Sequence, residues 1–255
     1  VQWLQHIRKR TPDYQSVVTH PIIDIHTHIL PGLDDGPGSC AAAIGMAREA
    51  AAQGVTHIVA TPHYNNMFLP GHGDIRDRLA ELRKALDESD CGITLMAGRE
   101  VSFTDLHIEA LKSDTGLHYE GGKKYILLEL PEGLTPTAII EGLFDLMTAG
   151  IQPVIAHPER SSLLIKKPAF AEELRDRGAL LQLDALSLVS LHGRYCRNLA
   201  RRLIGHKLID VISSDAHSRE HYRYFANACQ YVFNQHGEDY FREITCDTPA
   251  KIMNL

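Results

Sequence analysis

The sequence predicts an α/β fold, a closed or nearly closed (β/α) barrel, and three observations predict it. Short β-rich runs alternate with helix-period stretches from end to end, and seven such runs can be counted. The 255 residues are long for one ordinary domain and normal for one α/β barrel. Strands separated by helices pair in parallel. A doubly wound open sheet is the second choice.

The strand candidates, in order, are Ile22–Ile25, His57–Ala60, Ile93–Ala97, Tyr125–Leu130, Gln152–Ile155, Leu180–Leu183 and Asp210–Ser213. Between them, Ile75, Leu79, Leu82 and Leu86 step by four, three and four and make one apolar helix stripe. Ile139, Leu143, Leu146 and Met147 do the same. Gly54, Gly150 and Gly178 each follow a helical run and precede a strand, the placement of helix C-caps. Residues 116–124 read as a polar surface loop. No repeat, low-complexity linker or domain boundary interrupts the pattern. Residues 21–255 therefore read as a single domain behind an N-terminal tail, 1–20. That tail lacks the apolar core of a signal peptide.

Composition narrows the function. Hydrophobic content of 44% and charged content of 23% are globular values. A net charge of −6 argues against nucleic acid as a partner. No run is long and apolar enough for membrane insertion. Five cysteines without paired spacing suggest reduced thiols in a cytoplasmic protein.

In an α/β barrel, chemistry gathers at the carboxyl ends of the strands. After the first strand come His26, His28 and Asp35, the two histidines at i and i+2 pointing to one side of extended chain. Asp34 reads as the turn residue beside Asp35. Later termini carry His63, Glu100, Glu129, His157, and finally Asp215 with His217. Glu129 reads either as a ligand or as a buried partner for Arg99 or Arg160. The sixth terminus, Gln182-Leu183-Asp184, is the least metal-like, with Asp184 a helix N-cap or turn residue. The other histidines, His192 and His221 among them, read as structural. Imidazoles mixed with carboxylates suit Zn²⁺, Mn²⁺ or Fe²⁺ better than Mg²⁺ or Ca²⁺. Nine ligands exceed what one ion can use, so three ions are expected.

The runs Asp24-Ile25-His26-Thr27-His28-Ile29-Leu30-Pro31-Gly32-Leu33-Asp34-Asp35-Gly36, Ala60-Thr61-Pro62-His63, Gly98-Arg99-Glu100, Ala156-His157-Pro158-Glu159-Arg160 and Ser214-Asp215-Ala216-His217 resemble the PHP (polymerase and histidinol phosphatase) superfamily. They are most similar to its manganese-dependent protein-tyrosine phosphatases of bacterial capsule and exopolysaccharide operons. The resemblance implies a distorted seven-stranded (β/α) barrel with a three-metal cluster, Mn²⁺ first and Fe²⁺ or Zn²⁺ as alternatives. It implies that His26, His28, Glu100 and Asp215 hold one ion. Glu100 and His157, with Glu129 a further candidate, hold a second; Asp35, His63 and His217 hold a third. Arg160 resembles the family's phosphate-binding arginine, and Arg219 and Arg223 both fall near the place of a second one. The implied reaction is hydrolysis of aryl phosphate esters through a metal-bridging hydroxide. The implied partner is a phosphotyrosine protein, a tyrosine autokinase tail in polysaccharide biosynthesis. Aromatic selection is expected from Tyr64, Met67, Phe68 or Phe103.

The alternative on the same metal barrel is a small-molecule phosphoesterase of the histidinol-phosphatase kind. A cysteine phosphatase is the sharpest rival in mechanism, since Cys196 and Arg202 satisfy Cys-x5-Arg. The residues between them contain no glycine and read as helix, which turns the two side chains about 240° apart.

Overall fold

The computed structural model describes residues 13–121 and 124–255. Its strands are β1 (Ile22–Thr27), β2 (Val55–Ala60), β3 (His63–Tyr64), β4 (Thr94–Ala97), β5 (Glu100–Ser102), β6 (Tyr125–Glu129), β7 (Gln152–Ala156), β8 (Leu180–Asp184) and β9 (Val211–Ser213). Every pairing is parallel, in a three-stranded sheet ordered β1-β2-β4 and a six-stranded sheet ordered β3-β5-β6-β7-β8-β9.

All seven expected strands are present, but the count and the single sheet need correction. Two short strands, β3 and β5, restart just beyond β2 and β4. Pro62 follows β2 and has no N–H to continue a ladder. Gly98 follows β4, and a Cβ there would stand 2.7 Å from the Tyr119 ring. The regular ladder is interrupted at both places, bridged by Gly98 N–H to the Ala60 carbonyl at 2.8 Å and Glu100 N–H to the Pro62 carbonyl at 3.3 Å, and resumes in the second sheet. A backbone bridge joins Thr27 to Ala216. There His28 N–H donates to the Ala216 carbonyl, and Asp215 N–H to the His26 carbonyl, each at 2.9 Å.

Both faces of the strands are buried, as parallel sheets require. Alternate residues join two different cores. Ile23, Ile25, Val59, Leu127, Val154 and Val211 meet in one, with Tyr119, Ile252 and Met253. Ile22, Ile58, Ile126, Leu128, Ile155 and Ile212 meet the helices in the other. The helix His72–Glu88 buries Ile75, Leu79, Leu82 and Leu86, the expected stripe. The helix Pro136–Thr148 buries Ile139, Leu143 and Leu146, while Met147 is half-buried at its edge. Its start is set by the Thr135 hydroxyl, which accepts from Ala138 N–H at 3.2 Å, and by Pro136 in the first turn. Gly54, Gly150 and Gly178 all take positive φ just past their helices.

The loop after residue 116 is not the expected surface excursion. Leu117, His118 and Tyr119 are buried, and the Tyr119 hydroxyl donates to the Ile25 carbonyl at 3.0 Å. Residues 1–12 of the expected tail lie outside the described part. Tyr14 begins a helical turn, Tyr14–Val17, and its buried hydroxyl donates to the Gln53 carbonyl at 2.9 Å.

Candidate metal centre

Parallel register sets the strand termini side by side. His63 is paired with Glu100, Ser102 with Glu129, Ala156 with Gln182 and Asp184 with Ser213. The nine side chains expected as ligands come together there in four overlapping groups. They are His28, Asp35, His63 and His217; His26, Glu100 and His157; His26, His28 and Asp215; and His63, Glu100 and Glu129. Within each group the donor atoms lie within 4.8 Å of one another. The grouping differs from the expected division: Glu100 is absent from the His26, His28 and Asp215 group and instead joins His26 and His157. His28 also joins the Asp35 group, and Glu129 joins Glu100 through His63 rather than through His157.

Glu100 is the hub. It is 1% exposed. One carboxylate oxygen lies 2.8 Å from His157 Nε2 and 3.5 Å from His26 Nε2. The other lies 2.8 Å from His63 Nδ1 and 3.4 Å from His28 Nε2.

Hydrogen bonds at the back of the imidazoles fix which nitrogen faces inward. Gln182 donates its amide to the Leu183 carbonyl at 2.8 Å, so its Oε1 is left to accept from His26 Nδ1 at 2.9 Å. His28 Nδ1 donates to Asp34 at 2.7 Å, and His217 Nδ1 donates to the Asp215 carbonyl at 2.8 Å. In all three rings the Nε2 lone pair then points into the cluster, the tautomer that ligates a metal. His26 Nε2 and His28 Nε2 face each other at 3.3 Å, and each lies 3.2 Å from Asp215 Oδ1. His63 Nδ1, Glu100 Oε2 and Asp215 Oδ1 are buried with no aligned hydrogen bond. Acceptors that converge so closely repel unless a cation or proton lies among them. This donor set therefore fits divalent ions.

The electrostatics carry the same demand. Burial pushes His26 down, but Asp215 and Glu100 outweigh it and lift its pKa to about 9. Burial is likewise outweighed at His28, which Asp215, Asp34 and Glu100 hold well above the usual histidine value. The imidazoles in turn hold Glu100 and Asp215 well below the carboxylate range, against the pull of burial. The cluster therefore favours positive charge at its centre.

Backbone strain aims two of the groups. His157 and Asp215 have φ of +30° and +46°, the left-handed region that costs a side-chain-bearing residue about 1–2 kcal/mol. Each is pinned: His157 N–H donates to Gln182 Oε1 at 3.3 Å, and Asp215 N–H to the His26 carbonyl at 2.9 Å. Asp24, fully buried, takes the Ser214 N–H at 3.0 Å and its hydroxyl at 2.6 Å, which ties the Asp215 loop to β1.

The arginines divide. Arg160 Nη1 donates to Asp215 Oδ2 at 2.6 Å and reaches Asp184 at 3.6 Å, so it stands at the rim of the cluster. Arg219 and Arg223 instead grip Glu49 of the helix Cys40–Ala52, at 2.8 Å and 3.1 Å through their Nε atoms. Arg99 bonds the Pro70 carbonyl at 2.8 Å and is not a partner of Glu129. Of the aromatic candidates, Phe68 stacks on His63 with centroids 5.9 Å apart, and Met67 is 83% exposed. Tyr64 is half-buried. Phe103 is buried core, packed so closely that a Cβ on Gly142 would stand 2.5 Å from its ring.

Sequence reasoning underrated two residues. Asp34 is more than a turn residue, since its side chain is fully buried and braces His28. Gln182 stands at the terminus read as least metal-like, yet it orients both His26 and His157. The available signal was position: Asp34 neighbours Asp35 in sequence, and Gln182 lies near the end of β8, paired with Ala156 beside His157.

The family model for capsular polysaccharide synthesis, CpsB/CapC, matches residues 22–254. The chain belongs to the CpsB/CapC family. Its CpsB/CapC relatives include the tyrosine-protein phosphatase YwqE of Bacillus subtilis, 34% identical over 215 residues, 84% of each chain. The putative tyrosine-protein phosphatase CapC of Staphylococcus aureus is 36% identical over 200 residues, 77% of each. Among solved structures, those of YwqE and of Streptococcus pneumoniae CpsB, described as unique metal-dependent tyrosine phosphatases, give a match with TM-score 0.82 and 31% identity. It covers 91% of this chain and 94% of the other.

Proposed function

We propose that this CpsB/CapC member is a metal-dependent protein-tyrosine phosphatase. One observation carries the reading: imidazoles and carboxylates from β1, β5, the turn after β7 and the loop after β9 face inward around Glu100. The named activities of YwqE and CapC support it.

The nine residues His26, His28, Asp35, His63, Glu100, Glu129, His157, Asp215 and His217 would hold three divalent ions, Mn²⁺ first, with Fe²⁺ or Zn²⁺ as alternatives. Bound ions would supply Lewis acidity, which readies water as a nucleophile at neutral pH and offsets phosphoryl charge. The residues do the rest. Asp34 and Gln182 keep the imidazoles in the ligand tautomer. Arg160 presents a guanidinium fork to the non-bridging phosphate oxygens, where charge is held in the transition state. A tyrosinate leaving group has a conjugate-acid pKa of about 10, so no strong general acid is required. Arg219 and Arg223 serve phosphate only if they release Glu49. The substrate class is a phosphotyrosine protein, with a tyrosine autokinase tail in polysaccharide biosynthesis as the partner.

We further infer that residues 21–255 form one domain and that the two sheets are one interrupted, distorted seven-strand barrel. The Thr27–Ala216 bridge and the core shared by Val59, Leu127 and Val211 support closure. Five free cysteines fit a cytoplasmic setting. No helix among the described residues is long and apolar enough to cross a membrane.

The test is metal analysis of the purified protein together with hydrolysis of an aryl phosphate, with and without chelator. Asp215→Ala should abolish turnover, while Cys196→Ser should leave it intact. Cys196 lies in the helix Gly193–Gly205, and burial pushes its thiol up rather than down. Chelator-resistant activity that disappears with Cys196 would replace this reading by a thiol mechanism. Equal turnover of alkyl phosphates would point to a small-molecule phosphoesterase.

A further inference from the structure

Asp184 is fully buried at the end of β8 and belongs to none of the four donor groups. Its Oδ1 accepts from Leu186 N–H at 2.8 Å and caps the helical turn Ala185–Leu188. Its Oδ2 has no aligned hydrogen-bond donor. Two cationic or proton-bearing groups meet that oxygen instead: His192 Nε2 at 2.6 Å and Arg160 Nη1 at 3.6 Å. Beneath it, the fully buried Glu159 accepts from Asp184 N–H at 3.2 Å and from the Ser187 hydroxyl at 2.8 Å, which locks the backbone.

Arg160 thus stands between two carboxylates. Asp215, at 2.6 Å, belongs to the candidate centre; Asp184, at 3.6 Å, does not. Held by Asp215 alone, the guanidinium would fold onto a side chain whose other oxygen faces His26 and His28. Asp184 Oδ2 competes for the same Nη1 atom. His192 shares the Asp184 charge and keeps Oδ2 from closing fully on Arg160. Loss of either partner moves the fork. We propose that Asp184 and His192 are a positioning couple for Arg160, setting where its guanidinium meets phosphate. This rests on Arg160 being the phosphate ligand of the reading above.

The probes are p-nitrophenyl phosphate as substrate and inorganic phosphate as competitive inhibitor, on manganese-loaded protein. Asp184→Asn removes the charge and keeps a side chain that caps helices. It should raise KM and the phosphate inhibition constant about tenfold, roughly 1.4 kcal/mol of lost binding. Metal content should hold and kcat should change less. His192→Ala, at a side chain 27% exposed, should do the same without touching the cap. Since His192 acts through Asp184, the double variant should be no worse than Asp184→Asn alone.

Unchanged phosphate inhibition in both single variants, or additive losses in the double, would overturn the couple. Metal loss in Asp184→Asn would overturn it too, by making Asp184 a support of the ions. If Asp184→Asn does not fold, His192→Ala decides alone. Arg160→Ala separates the two readings. Should it leave phosphate inhibition untouched, the phosphate role of Arg160 fails and the couple with it. Should Arg160→Ala weaken phosphate while the other two do not, only the couple fails.

Discussion

Gly36 shows how little room the candidate centre leaves at the scale of one residue. A Cβ there would stand 2.0 Å from the His28 carbonyl oxygen. Backbone cannot yield as a flexible side chain can. Gly36 N–H also donates to Asp34 Oδ1 at 3.1 Å, and Asp34 Oδ2 braces His28. Gly36→Ala should therefore displace the turn carrying Asp34 and Asp35 and loosen His28 and the ion nearest Asp35. We expect at least a tenfold fall in kcat/KM on an aryl phosphate and fewer bound ions per chain. Wild-type kinetics and metal content in Gly36→Ala would show that the turn has slack.

At the scale of elements, packing and charge pairing separate cleanly from the chemistry. Leu82, 1% exposed, lies on the apolar stripe of the helix His72–Glu88. Leu82→Ala should cost about 2–5 kcal/mol in denaturant unfolding. No residue of that helix belongs to a donor group, so kcat at a temperature where the fold persists should stay within twofold. The helix Cys40–Ala52 is tied to the helix Arg219–His236 by Glu49. Hydrogen bonds from Arg223 and then Arg219 hold its carboxyl down at about 2. A depressed carboxyl contributes stability above its unfolded pKa of about 4.3, and that stability is lost as pH falls toward 2. Glu49→Gln should lower stability at pH 7, and the gap to wild type should close between pH 4.3 and 2. Both arginine side chains are more than half exposed, so screening keeps the gap small, within about 1 kcal/mol. Urea titrations at pH 7, 4 and 2.5 measure it.

For the whole molecule, folding and ion binding should be linked. His26, Glu100, His157 and Asp215 come from segments spread over nearly two hundred residues, and only the folded chain collects them. Ions that bind this state and not the unfolded one stabilise it by about 2.7 kcal/mol at a hundred times their Kd. Chelation should lower Tm by several degrees, and added Mn²⁺ should restore it. Protons compete for the same lone pairs, because the carboxylates hold His26 near 9 and His28 well above the usual histidine value. Bound metal per chain, measured after gel filtration, should therefore fall as pH drops from 8 to 6. A Tm indifferent to both chelator and metal would show the cluster to be proton-filled structure.

The alternation of β-rich runs with the helix stripe at Ile75, Leu79, Leu82 and Leu86 made the parallel α/β plan legible in the sequence, because period and burial are local properties. The nine expected donor residues were legible for a related reason, since each lies near or after a strand end that the pattern already marks. What lay hidden depends on contacts between distant segments. That Gln182 would hold His26, that Asp34 would turn inward, that Arg219 and Arg223 would close on Glu49, and that Tyr119 would plug the core follow from register and packing. The interruption after β4 was hidden as well, because it turns on how Gly98 meets Tyr119. Composition and spacing determined which chemistry this chain can gather. Only the tertiary structure decided which atoms face one another, since a nitrogen's lone pair is aimed by a partner far away in the chain.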